Sequence, residues 1–110
     1  MNDQLATMRL EPSGRSLVVR LLGEIDLSNA QLTHQRLETA IEGYPRVIVD
    51  LTKITYLDSQ GLRLIKQICD KVDREDIELK LVAPPTSVAR QVLDMARMTD
   101  YVEIRDTLEE

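Results

Sequence analysis

The sequence predicts an α/β fold, a mixed sheet of about five strands packed with three to four helices in the order β-β-α-β-α-β-α-β. Three observations predict it. Val47-Ile48-Val49 is a nearly continuous apolar run, the mark of a strand covered on both faces. Leu62, Ile65, Ile68, Cys69 and Val72 recur at steps of three and four, one apolar stripe along a helix. Strand-like and helix-like patterns alternate after an opening hairpin, which implies parallel crossovers, right-handed, in a sheet flanked by helices. At 110 residues the chain, 1–110, reads as one domain. It can bury roughly two thirds of its unfolded surface.

Taken in order, Leu5 to Leu10 alternates apolar and polar residues, a strand with one buried face. Pro12-Ser13-Gly14 is a turn, and Ser16 to Leu22 a second, β-rich strand, so the two form a hairpin. Gly23-Glu24-Ile25-Asp26 leaves that strand. Asp26 or Ser28 is placed to cap the next helix, which carries Leu32, Leu37, Ala40 and Ile41 and ends near Gly43 before Pro45. The central strand runs from Arg46 to Leu51, and Ile54 and Leu57 extend the burial through a short connection. The second helix runs from about Ser59 to about Asp73, with Lys66, Asp70, Lys71 and Arg74 on its wet side. Glu75-Asp76 is a charged turn, and Ile77 to Val82 alternates as a strand. Pro84-Pro85 stops it. Thr86 or Ser87 caps a third helix holding Val88, Val92, Leu93 and Met95-Ala96, which ends at Asp100. Tyr101 to Ile104 is a last short strand.

Composition narrows the function. With 43% hydrophobic residues the chain is globular, and without Trp or Phe its core is aliphatic. A net charge of −5 argues against direct nucleic-acid binding and against an anionic membrane surface. The single Cys69 forms no internal disulfide, which suits a reducing compartment. Met1 to Gln4 lack the basic and apolar parts of a signal peptide, and no apolar run nears the ~20 residues that span a bilayer. The expectation is a cytoplasmic protein.

The chemistry concentrates at Thr55-Tyr56-Leu57-Asp58-Ser59-Gln60-Gly61-Leu62, where an apolar run ends and an amphipathic helix begins. Ser59 sits at or next to the helix N-cap. The plain reading is that Asp58 or Ser59 is a cap stabilising by ~1 kcal/mol. The sharper reading is a presented hydroxyl: Gly61 lets another backbone come close, and open N–H groups at a helix start suit an anion such as a phosphate. Leu62 and Leu64 cannot share one helical face. With Leu62 buried, Leu64 or Arg63 lies nearer solvent, in a docking patch around Ser59. Asp50 ends the apolar strand, as the phosphoacceptor of a receiver domain does, but Glu11-Pro12 and Lys80 match the rest of that site poorly. Asp50 then reads as a solvated strand-end carboxylate. His34 lacks a second ligand at metal spacing and reads as a surface histidine, and Cys69 as core. No catalytic triad, phosphate loop or metal motif is present, so neither enzyme activity nor a cofactor is called for.

Val47-Ile48-Val49-Asp50-Leu51 followed by Tyr56-Leu57-Asp58-Ser59-Gln60-Gly61-Leu62 resembles the core signature of the STAS family, more narrowly of the bacterial anti-sigma factor antagonists. Gly23-Glu24-Ile25-Asp26 is similar to that family's second motif. The resemblance covers nearly the whole chain. It implies that Ser59 falls on the phosphorylatable residue, with Asp58, Gly61 and Leu62 its neighbours and Asp26 an acid near the site. It also implies partner switching. The antagonist binds a kinase-type anti-sigma factor and so frees a sigma factor, in stress-response transcription for example. The same kinase phosphorylates the serine with ATP and Mg²⁺, and a PP2C-type phosphatase resets it. Asp26, Asp58, Ser59, Gln60, Gly61, Leu62, Arg63 and Leu64 are the expected partner-binding residues. Two of them depart from the family: many members have Ser or Thr where Gln60 stands and Gly where Arg63 stands. The alternative is a fixed STAS subunit of a larger complex, such as a lipid-transport ABC system or a stress-signalling scaffold.

Overall fold

The computed structural model describes residues 7–108. Its elements are β1 (Thr7–Ser13), β2 (Ser16–Ile25), α1 (Ala30–Ile41), β3 (Arg46–Leu57), α2 (Ser59–Arg74), β4 (Glu78–Val82), α3 (Val88–Met95), a 3₁₀ turn at Met98–Asp100, and β5 (Glu103–Arg105). The sheet order is β1-β2-β3-β4-β5. β1 is antiparallel to β2, and the other neighbours are parallel. The predicted mixed sheet of five strands and the element order are therefore as expected. Leu5 and Ala6 of the expected first strand lie outside the described residues.

One sheet face carries Leu17, Val19, Leu21, Val47, Val49, Leu51 and Leu81, all buried. α1 and α2 pack against each other and onto the sheet, while α3 packs against β3 and joins the same core. The buried residues of α3 and the following turn are Ala89, Leu93 and Met98. Val88 and Met95 are exposed, contrary to the apolar set read from the sequence. Arg97, left-handed at φ 59, breaks the helix before Asp100.

The opposite face differs from expectation. Strand pairing sets Glu11 beside Val18, Arg20 beside Asp50, Ile48 beside Lys80 and Lys80 beside Glu103. Ile48 is only half-buried here. Ion pairs cover this face: Arg20 with Glu11 and Asp50, and Glu78 with both Arg46 and Lys80. Long charged side chains can shield apolar strand surface with their aliphatic stems. β3 thus has one fully apolar face and one charged face.

β3 also runs on to Leu57 instead of ending at Leu51. Arg20 pairs with Asp50 but Leu22 with Lys53, so Leu51 and Thr52 together oppose Leu21. A second slip leaves Thr55 extra, between the Gly23–Ile54 and Glu24–Tyr56 pairs. Each bulge inserts one residue. Leu51, Ile54 and Leu57, three apart, thereby all point inward and are buried. β2 likewise continues through Gly23, whose φ of 94 needs no Cβ beside the second bulge, to Ile25.

Candidate functional site

β2 and β3 end side by side, with Ile25 opposite Leu57. The loop from Asp26 to Asn29 and the start of α2 therefore emerge together. The Asp26 loop closes on itself. The Asp26 carboxylate accepts from the Ser28 N–H at 2.9 Å and the Ser28 hydroxyl at 2.6 Å. Asn29, 1% exposed, accepts from the Asp26 N–H at 3.1 Å and donates to the Glu24 carbonyl at 2.8 Å. The N-cap position of α1 is Asn29, and neither Asp26 nor Ser28 makes a side-chain cap on that helix. A buried asparagine that satisfies two backbone groups holds the loop's shape. A hydropathy reading passes over Asn29 because it is polar. The signal is the run of short polar residues in Asp26-Leu27-Ser28-Asn29.

Asp58 is the N-cap of α2. Its Oδ1 accepts from Gln60 N at 2.9 Å and Gly61 N at 3.0 Å. Its Oδ2 accepts from Leu27 N at 3.1 Å, and its own N–H donates to the Ile25 carbonyl at 3.3 Å. One carboxylate thus caps the helix and ties it to the Asp26 loop. The expected anion-receptive N–H groups of Gln60 and Gly61 are already taken by Asp58, a correction to the sequence reading.

Gly61 is buried, and the backbone it admits is the chain's own. A Cβ there would meet the Ile25 carbonyl oxygen at 2.8 Å and would also collide with Leu57. Glycine at this position lets the first turn of α2 seat against the ends of β2 and β3.

Ser59 is the first residue of α2 and is exposed. Three hydroxyls follow aspartates closely here. Ser28 bonds to Asp26, and Thr52 bonds to Asp50 at 2.6 Å. Among the described residues the Ser59 hydroxyl has no such partner. Exposed Leu27, 77% accessible, and Tyr56, 50% accessible, stand on the same two segments, and the sequence reading singled out neither.

Leu64 is not at the surface. It is 2% exposed, whereas Leu62 is half-buried. The physical reason is that α2 packs on both the sheet and α1, so its buried arc is wider than one stripe. Arg63 is exposed, and with Gln31, His34, Gln60 and Gln67 it lines a groove of about 390 Å³ between α1 and α2. His34 is half-buried. Its Nε2 lies 3.4 Å from the Glu38 carboxylate, without hydrogen-bond geometry. Asp50 is 6% exposed and closed by Arg20 at 2.8 Å, so it is no solvated strand end. Cys69 is buried as expected, and that burial pushes its thiol up to about 11. Among the described residues no group of acidic, His or Cys side chains could hold a metal. No described helix is long and apolar enough to cross a membrane.

Residues 7–110 match the STAS domain family. The chain belongs to that family. The STAS fold is shared with an anti-sigma factor antagonist from Mycobacterium paratuberculosis, at 22% identity over 94% of this chain and 88% of that one, TM-score 0.85. It is also shared with the anti-sigma factor antagonist SpoIIAA in its unphosphorylated form, at 23% identity over 94% and 90%, TM-score 0.73. The Bacillus cell fate determinant SpoIIAA in its phosphorylated form gives 22% identity over 94% of both chains, TM-score 0.69.

Proposed function

We propose that this STAS chain is an anti-sigma factor antagonist whose binding is switched by phosphorylation of Ser59. The observation that carries the reading is the Ser59 hydroxyl, bonded to no described residue and exposed at the first position of α2 beside the Asp26 loop that Asp58 ties to the helix. The names of the proteins that share its fold, one of them solved in a phosphorylated form, support it.

The physical mechanism is differential burial. A kinase-type anti-sigma factor docks over Ser59, Gln60, Arg63 and the half-buried Leu62, with exposed Leu27 and Tyr56 supplying apolar contact. Asp26, Asp58 and Gly61 hold the surface in shape. Leu64 is a core residue and takes no part in contact. Phosphorylation adds about −1.5 to −2 charges. Because Asp58 occupies the nearby N–H groups, the phosphate meets a carboxylate and not an empty anion site. Burying such a dianion unpaired costs several kcal/mol, and each ~1.4 kcal/mol is tenfold in affinity. The partner is released while the fold stays as it is. The kinase supplies ATP and Mg²⁺, and a PP2C-type phosphatase restores the hydroxyl.

The test is binding of Ser59→Ala and Ser59→Asp chains to candidate anti-sigma factors, with mass spectrometry of the Ser59 peptide after incubation with kinase, ATP and Mg²⁺. Ser59→Ala should bind constitutively and Ser59→Asp poorly. Equal binding by both and by the wild type refutes the switch. Co-purification with a membrane ATPase complex would instead favour a fixed STAS subunit.

A further inference from the structure

Among the described residues β1 is an edge strand of the sheet, and its sequence Thr7-Met8-Arg9-Leu10-Glu11-Pro12-Ser13 is complementary to itself. We propose that two copies of this chain pair antiparallel through β1, with Leu10 of one copy opposite Leu10 of the other. A two-residue turn, Gly14-Arg15, joins Ser13 to its partner Ser16. The pair that closes such a turn is hydrogen-bonded, and bonded pairs alternate along an antiparallel ladder. Thr7, Arg9, Glu11 and Ser13 therefore turn their backbone groups toward β2. Met8 and Leu10 turn theirs outward, and Pro12, which has no N–H, offers only its carbonyl outward. An outward N–H and C=O row is a template for another strand.

Charge selects the register. With Leu10 facing Leu10, Arg9 of each copy lies opposite Glu11 of the other, and each Met8 N–H meets a Pro12 carbonyl. Sliding the strands by two residues one way sets Arg9 against Arg9. Sliding them the other way sets Glu11 against Glu11. Like charges directly opposite each other destabilise a sheet, and unlike charges stabilise it. In the favoured register Arg9 joins an existing chain of ion pairs, Glu11 to Arg20 at 3.0 Å and Arg20 to Asp50 at 2.8 Å. On the other face Leu10, 48% exposed, and Leu32, 43% exposed, rim an apolar groove of about 430 Å³ that also involves Met8 and Ala40. The second copy's Leu10 closes the β1 end of that groove. The interface uses no residue of the Ser59 site.

The test combines sedimentation equilibrium of the full chain with register-specific cross-linking. Wild type should dimerise with rising concentration, and Leu10→Lys should raise the dissociation constant about 100-fold, or about 2.7 kcal/mol. Leu10 is exposed, so the substitution leaves folding intact. Under mild oxidation Leu10→Cys chains should form a covalent dimer, because paired Cα atoms about 5.5 Å apart suit a disulfide. Arg9→Cys and Glu11→Cys chains should not, since their own copies lie beyond the ~7 Å a disulfide spans. Buried Cys69 keeps the background silent. A wild type that stays monomeric up to its solubility limit overturns the proposal, as does cross-linking of Arg9→Cys or Glu11→Cys in preference to Leu10→Cys.

Discussion

Asp50, in the middle of β3, and Asp58, just past its end, do the same local job in opposite surroundings. Each carboxylate accepts from the backbone N–H two residues on, Thr52 at 3.0 Å and Gln60 at 2.9 Å. Around Asp50 everything closes. Arg20 and the Thr52 hydroxyl take its remaining capacity, and it is 6% exposed. Around Asp58 the second oxygen reaches across to Leu27, and the neighbouring hydroxyl is left outside. The difference lies in where the hydroxyl stands. Two residues after the aspartate, as in Thr52 and in Ser28 after Asp26, it folds back onto the carboxylate. One residue after, as in Ser59, it enters the helix and faces outward. A pairing that locks a bulge at one position presents a side chain at the other.

The comparison breaks most visibly at Asp50. Asp50→Ala strips a buried partner from Arg20 and uncaps the first bulge. A fully buried pair broken this way costs ~3–5 kcal/mol. Arg20 keeps 34% of its side chain in water, so about 2–3 kcal/mol is expected in urea unfolding. A loss below that of Asp58→Ala would show that the bulge does not depend on the carboxylate.

Gly61→Ala tests how tightly the open end is seated. In an ordinary helix interior, Gly to Ala gains up to ~1 kcal/mol. Here the added Cβ would lie 2.8 Å from the Ile25 carbonyl oxygen, and overpacking of this kind costs ~1–3 kcal/mol. Destabilisation is expected, together with weakened partner binding because Asp58 and Leu27 shift with the first turn. A stabilised Gly61→Ala chain would mean that α2 can slide away from β2 freely. Asp58→Ala comes next, at about 1 kcal/mol, the usual loss for an N-cap.

Much of the fold is legible in the sequence, and what is not depends on pairing and packing between elements. The stretch that holds Ser59 and the Gly23-Glu24-Ile25-Asp26 run at the end of β2 are legible through their resemblance to the STAS family, and the strand-to-helix joint through its short Asp, Ser and Gly residues. The end of β3 is not, because Leu51, Ile54 and Leu57 repeat every three residues and a regular strand repeats every two. The bulges that reconcile them are visible only in the pairing with β2. A single apolar stripe leaves Leu64 in the docking patch, but α2 has two walls to face, the sheet and α1, and Leu64 is buried. Val88 and Met95 illustrate the reverse. An apolar side chain on a short helix has no obligation to be buried, and α3 buries Ala89 and Leu93 instead.

The smallest expected effect, that of Ser59→Ala, is the most discriminating when set against Thr52→Val. Thr52→Val removes a hydroxyl bonded to a buried carboxylate at 2.6 Å. Bonds to charged groups contribute about 1.5–3 kcal/mol, and partial exposure of Thr52 places the expected loss near the lower end. Ser59→Ala removes a hydroxyl that the described residues leave unbonded, from an exposed first helical position, so stability should stay within about ±0.5 kcal/mol. Paired urea titrations of the two chains measure the contrast directly. If Ser59→Ala destabilises as much as Thr52→Val, the Ser59 hydroxyl is serving the fold, and the presented side chain on which the switch depends is already engaged. If Ser59→Ala is neutral while its binding to the kinase-type anti-sigma factor no longer falls when ATP and Mg²⁺ are added, the residue contributes to regulation and not to stability, as a modification site at an exposed helix start requires.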